Sequence, residues 1–570
     1  MRTAGLSRTR KAVHRSLARH ARYLIIPFYE LVCLRLVPGK IPWAAYIVSF
    51  AEFAERASYF GCVTVFTNFI QRPLPEGGNS AGAPPGGTQL NAGALGLGLI
   101  TATAVVQTFS FLVMALPICG GMLADAKWGL YRSIWIGTGI AFAAHIIMVT
   151  ASVPAVIASG YAIAPFAISV VILAFGTACI KPCIIPLIVQ QSPVRRQYVK
   201  TLKSGEQVIV DPGITVRSMV YICSWAVNIG AFLALPSTYA AKRVGFWLAF
   251  LIPGLIYLLV PLALLACSRH LVRLPPQGTV ILDCYKVLYV MVRRAGFWRA
   301  LRGGKAWEGA KPSALATSGS FTGKRPIWIT DAGWITYDDL FVDELRRAAR
   351  VCRLFLLTPV SLVAGTSLDT LLTSQGATMT TDGAPNDLLK NFNYLTISVM
   401  APVFQLMIFP WLRRRGIDFS PIRKICAGFL FAASGQVVAA ILQWRIYETS
   451  PCGYAATACA IGTGVSALSV WWQLPIYALE AVGGILVNFT CYELAMVWAP
   501  ERMRTVLFAI VVFMAALAAA LVLAISPVFV DPNITWVFIS AAAACVLCAI
   551  AIYFSACLQI FYSRAPPPPP

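Results

Sequence analysis

Residues 42 to 70, IPWAAYIVSFAEFAERASYFGCVTVFTNF, form an apolar run long enough to cross a bilayer, and Glu52, Glu55 and Arg56 sit near its middle. About 20 apolar residues span roughly 30 Å of hydrocarbon, so charges at that depth cannot reach water at either end. They have to face a protein-lined interior, and that requires further membrane-crossing segments around them. Glu52 and Arg56 stand four residues apart on one helical face, with Glu55 three from Glu52. Such a cluster is partly self-neutralising and able to exchange a proton. The plainer alternative is a buried ion pair that only fixes helix register. Intramembrane ionisable groups point first to a transport pathway.

The rest of the chain supplies the surrounding segments. Apolar windows recur at about 99–124, 130–152, 158–190, 215–237, 245–267, 351–374, 389–412, 420–445, 462–498, 503–527 and 534–560. With the first run they make twelve spans. The chain is 58% hydrophobic and only 12% charged, against roughly 25% charged in a soluble domain. A basic, polar stretch at 268–350 splits the spans six and six, the layout of carriers built from two repeats. The predicted organisation is a basic cytosolic segment at 1–41, a six-helix bundle at 42–267, a cytosolic central loop at 268–350, a second six-helix bundle at 351–562 and a Pro-rich tail at 563–570. The fold class expected is an all-α membrane protein.

The formal net charge is +23, which in a soluble protein would suggest a nucleic-acid partner. With a cytosolic amino terminus, the inside loops and tails hold about 39 of the 46 Lys and Arg, the outside loops about 5, and Arg56 and Lys181 lie in the membrane. The positive-inside rule therefore accounts for the excess and sets both ends inside, with no nucleic acid implied. Residues 1–41 carry nine basic residues against the one acid Glu30, and read as a tail held near anionic membrane lipid, not as a cleavable signal. Most of the sixteen cysteines lie inside apolar runs without ligand spacing, so buried free thiols are expected, with no metal site. The four histidines, His14, His20, His145 and His270, are scattered and mostly terminal or in loops, which argues against a membrane-bound enzyme. No organic or metal cofactor is expected. The coupling ion would be the proton.

Lys181, in FGTACIKPCIIP of the fourth span, is the second key residue. At membrane depth it needs a carboxylate opposite, and in the first half only Glu52 and Glu55 are available, which predicts a salt bridge broken by protonation. The competing reading is a lysine snorkelling to the cytosolic surface. In GGMLADAKWGLYRS, Gly120 and Gly121 predict close helix packing, and Asp125 and Arg132 lie in a short cytosolic turn able to latch neighbouring spans.

These residues carry a resemblance. EFAERASYFG is similar to the ExxERFxYYG motif of the proton-dependent oligopeptide transporter family, a branch of the major facilitator superfamily. GGMLAD with GLYRSI resembles that family's signature between the second and third spans, and GTACIKPCIIP resembles its GTGGIKPNVSP. VKTLKSGEQVIVDPGITVRS, GFWLAFLIP and PNDLLKNFN resemble its fungal members, and the match runs over about residues 38–562. The resemblance implies the major facilitator superfamily fold, alternating access, and proton-driven uptake of di- and tripeptides. It also implies that Arg56 and Lys181 receive a peptide carboxylate and that Glu52 and Glu55 couple protons together with Lys181. It assigns Tyr59, Asn228 and Asn393 to substrate binding.

Two family acids are displaced. The tenth-span glutamate aligns with Gly484, one helical turn after Glu480, and the seventh-span acid aligns with Thr366, three residues before Asp369. Glu480 and Asp369 are either substitute binding residues or ordinary helix-end charges. The expected partner is a short peptide or peptide-like small molecule, with a specialised carrier of a non-peptide or modified-peptide metabolite, and a non-transporting nutrient sensor, as alternatives. The plasma membrane is expected first and the vacuolar membrane second.

Overall fold

The computed structural model describes residues 35–273, 280–296, 298–299, 305–317, 335–417, 419–459, 464–497 and 503–564. Most of the basic amino-terminal segment, parts of the central loop and most of the Pro-rich tail lie outside the described residues.

Among the described residues, ten helices are long and apolar enough to cross a membrane: Gly98–Trp128, Leu130–Ala151, Ile163–Gln190, Pro212–Arg243, Phe246–Cys267, Lys390–Leu412, Pro421–Thr449, Val470–Ala495, Val506–Val528 and Ile534–Phe554. The charged helix Trp43–Gln71 precedes them. A run at 358–376, broken into Thr358–Leu362, the π-helical Val363–Ser367 and Asp369–Gly376, completes the twelve. Expected span seven began at 351, whereas residues Asp339–Phe355 form a separate amphipathic helix with charges on one face. That helix and Val280–Ala295 of the central loop bury Val287, Met291, Phe341 and Leu345 together with Met503 and Leu507 of the second half. The central loop is therefore built onto the second bundle.

The first bundle has its own core, in which Phe66 and Phe69 of the first span meet Phe166 and Phe250 edge-on or tilted. Spans two and four touch backbone to backbone where a Cβ on Gly120 would run into the Ala178 carbonyl, while one on Gly121 would only graze Pro182 at 3.4 Å. The packing role expected of this pair thus falls chiefly on Gly120. Asp125 and Arg132 enter no ion pair within 4.0 Å among the described residues.

The protein is not wholly helical. Residues 191–217, between the fourth and fifth spans, contain a hairpin of β2 (Tyr198–Thr201) and β3 (Gln207–Val210) that turns through Gly205 at φ 84°. Beside β3 runs β1 (Arg35–Val37), parallel, with Leu36 opposite Ile209. At the opposite face, the loop after the ninth span contains a Cys452–Cys459 disulfide, which departs from the expectation of free thiols. Disulfides persist in oxidising compartments, and this one falls on the face that the charge asymmetry places outside.

Candidate functional site

The first span presents its charges inward because its apolar residues surround them. Glu52, Glu55 and Arg56 are all buried. The Arg56 guanidinium closes on Glu55 through two parallel contacts, Nε to Oε2 and Nη2 to Oε1, the latter at 2.6 Å. Glu52 Oε1 lies 3.4 Å from Arg56 Nε, and its Oε2 has no hydrogen-bond partner. A bidentate arginine pair is the stronger arrangement. Glu55 is the fixed partner, and Glu52 is the carboxylate with an oxygen to spare.

Tyr59, one turn further, lies under Arg56 at 4.8 Å and stacks on Phe109 of the second span at 5.6 Å. Behind the motif, Ser58 Oγ meets His145 Nε2 at 3.0 Å. That histidine is buried in the third span, and it pins the motif helix from the rear. A lone histidine in an apolar run gave no sign of this role.

Lys181 corrects the sequence expectation. It forms no ion pair within 4.0 Å with Glu52 or Glu55; its Nζ lies 3.0 Å from Met114 Sδ, in the second span. Nor does it snorkel, since Met114 lies near the middle of the second span, Gly98–Trp128. A thioether is a weak acceptor and carries no charge, so the ammonium lacks a formal counterion at contact distance. Arg56, Glu55 and Glu52 are within its electrostatic reach. Arg56 competes for the same acids: it holds Glu55 through both oxygens and draws on Glu52 Oε1, which leaves Glu52 Oε2 as the one unclaimed oxygen of the two.

The second half is arranged differently. Asp369 pairs with Lys390 at 3.0 Å, a lysine that sequence reasoning left in the background because it opens the eighth span. Glu480, only 3% exposed, accepts from Gln436 Nε2 of the ninth span at 2.9 Å, and the same amide donates to the Ala364 carbonyl of the seventh. A Cβ on Gly435 would lie 3.4 Å from Glu480 Cγ, so this carboxylate runs along the ninth span. A Cβ at Gly484 would meet only Asn488 Nδ2, at 3.7 Å. Asn393 donates to the Tyr477 carbonyl at 3.4 Å, and Asn228 to Ser224 O of its own helix at 2.9 Å. The halves touch near the motif where Phe60 and Tyr394 approach at 4.7 Å between ring centres. The structure thus gathers Glu52, Glu55, Arg56 and Tyr59 on one helix beside Lys181, and ties Asp369, Asn393 and Glu480 into contacts within the second half.

Comparison with known proteins agrees with this architecture. The PTR2 (POT family) sequence profile matches residues 131–546. The chain is 42% identical over 516 residues to the MFS-type transporter ucsM of an Acremonium species, covering 89% of this chain and 82% of that protein. It is 36% identical over 528 residues to the peptide transporter PTR2 of Candida albicans, covering 92% and 83%. Among solved structures, the POT family transporter PepTSo superposes with a TM-score of 0.65 at 19% identity, covering 92% of this chain and 100% of that one, a likeness of fold. A twelve-span chain with a paired-charge first helix and a profile match across most of its length belongs to the POT family of membrane transporters.

Proposed function

We propose that this chain is a proton-coupled symporter of short peptides or peptide-like solutes, working by alternating access. The observation that carries the reading is the imbalance in the first half. Arg56 is shared between two carboxylates, one of which has a free oxygen, while Lys181 faces only a thioether. A proton on Glu52 would neutralise the less satisfied acid and weaken its hold on Arg56. The cluster would then present more positive charge to a substrate carboxylate arriving at Lys181. Proton and anion favour each other's binding, which is what symport requires, because a ligand shifts a conformational equilibrium only by its differential affinity for the two states. Peptide transport by the Candida albicans relative supports the substrate class. The plasma membrane is the proposed location, with the vacuolar membrane second.

The test is uptake of a labelled dipeptide into proteoliposomes with an imposed pH gradient, acid outside. Wild type should accumulate it and Lys181→Ala should lose about tenfold to a hundredfold, the scale of one charge-assisted contact. No gradient-driven uptake by wild type, or full uptake by the variant, overturns the reading.

A second reading, a carrier of a modified peptide or another metabolite, is favoured by the second half. There Asp369 is closed on Lys390 and Glu480 on Gln436, so neither is presented freely to a substrate ammonium. In the same assay, an N-acetylated dipeptide taken up in preference to the free one would select it.

A further inference from the structure

At the outer end the two halves are joined by polar contacts between residues more than 130 apart in sequence. Asn68 Nδ2 of the first span donates to Asn386 Oδ1 at 2.8 Å, and Asn386 Nδ2 returns a bond to Asn68 Oδ1 at 3.1 Å. Gln71 donates to Ser374 Oγ at 2.8 Å, and Lys242 to the Ala384 carbonyl at 2.7 Å and Thr381 Oγ1 at 3.1 Å. Among the described residues, the hydrogen bonds found between the halves lie at this end, apart from Gln107 to the Ser367 carbonyl midway along the seventh span. The gate shown is therefore shut to the outside.

Asp387 sits at the centre of this seam, in the turn between the seventh and eighth spans, and is 2% exposed. Its Oδ2 accepts from Asn68 Nδ2 at 3.3 Å, while Oδ1 has no hydrogen-bond partner. The charged and titratable groups facing it are Lys242 at the end of the fifth span, Lys390 opening the eighth, and Tyr477 of the tenth. None of the lysines lies within 4.0 Å of its carboxylate: Lys242 is committed to Ala384 and Thr381, and Lys390 to Asp369. Closing the seam thus strips water from a carboxylate and replaces it with the Asn68 amide and the residue's own backbone N–H.

We propose that Asp387 is a second proton-binding site, which takes a proton from the outer solution as the halves close and returns it when they part. When the seam is open, Asp387 is a hydrated carboxyl near the ordinary value of about 3.9. When it is shut, burial pushes the group up to about 7, against the opposing pull of its own backbone N–H, the Asn68 amide, Lys242 and Lys390. A group raised in the closed state favours closure fully below its open-state value, and that contribution is lost as pH rises through about 7. Acid outside therefore helps shut the outer gate. The site lies about 24 Å along the first span from Glu52, judged from Asn68 at 1.5 Å per residue, so it is separate from the proton carried by the motif.

Hydrogen–deuterium exchange tests this on the full chain in nanodiscs, without substrate, so its outcome is independent of which solute is carried. Peptides covering the end of the first span and the 377–389 turn are followed at pH 6 and pH 8, with intrinsic rates corrected. Wild type should show a closed-to-open ratio about tenfold higher at pH 6, and Asp387→Asn should show the same protection at both. Absence of the pH effect in wild type, or its survival in Asp387→Asn, overturns the proposal. Asn68→Ala, which keeps the acid and removes its donor, should move the midpoint to higher pH. An unchanged or lowered midpoint also counts against the assignment.

Discussion

In the first half Arg56 is shared between Glu52 and Glu55 while Lys181 has a thioether for company; in the second, Asp369 is closed on Lys390 and Glu480 on Gln436. The first arrangement leaves an oxygen and an ammonium with unmet demand. The second pairs one acid with a base and ties the other to a neutral amide through one oxygen, leaving Glu480 Oε2 without a hydrogen-bond partner. A buried charge short of partners is poised to change its proton or its ligand, whereas a matched pair mainly fixes helix against helix. The comparison teaches that a base standing beside acids it does not pair with is found in the first bundle, where we propose that substrate and motif proton meet, whereas the unmet demand of the second lies on single acids, Glu480 and Asp387.

The largest expected effect comes from Arg56→Gln, which strands two neighbouring buried carboxylates. Losing the partner of a buried ion costs about 3–5 kcal/mol, so gradient-driven uptake should fall to background and the thermal midpoint should drop. Wild-type uptake by this variant would break the asymmetry outright. A smaller effect is expected at Lys390→Gln, about a tenfold loss of uptake, because its pair with Asp369 is only partly buried. Adding Asp369→Asn should restore most of it, since removing both charges removes the stranded one. If the double variant is no better than the single, the second-half pair handles substrate and the contrast is wrong. The smallest is Glu480→Gln, with uptake changed less than about twofold, because a glutamine carbonyl can still accept from Gln436. A large loss there would return Glu480 to the binding site.

The spans were legible because apolar runs of bilayer length have few other homes. Family membership was legible from the ordered motifs around Glu52, Asp125 and Lys181. The seventh span was blurred because the amphipathic helix Asp339–Phe355 runs almost directly into it and the span itself is broken at 363–367. Glu52, Glu55 and Arg56 share one helix, so their clustering followed from spacing. The partner of Lys181 did not, since two acids and two bases in one half allow several pairings and only geometry decides among them. The seam at Asp387 was invisible for a related reason. Asn68 and Asn386 are isolated polar residues 318 positions apart, and each alone resembles an ordinary span end. The Cys452–Cys459 bond hid among cysteines that, in the described residues, are otherwise free.

The small sheet has a mechanical corollary. β1 precedes the first span, yet it is laced to β3 ahead of the fifth, and Gly39 N adds a bond to Thr215 Oγ1 at 2.8 Å. The leader to span one and the leader to span five are thereby yoked, so any tilt of one is transmitted to the other at their cytosolic roots, and the first bundle swings there as a braced frame instead of as separate rods.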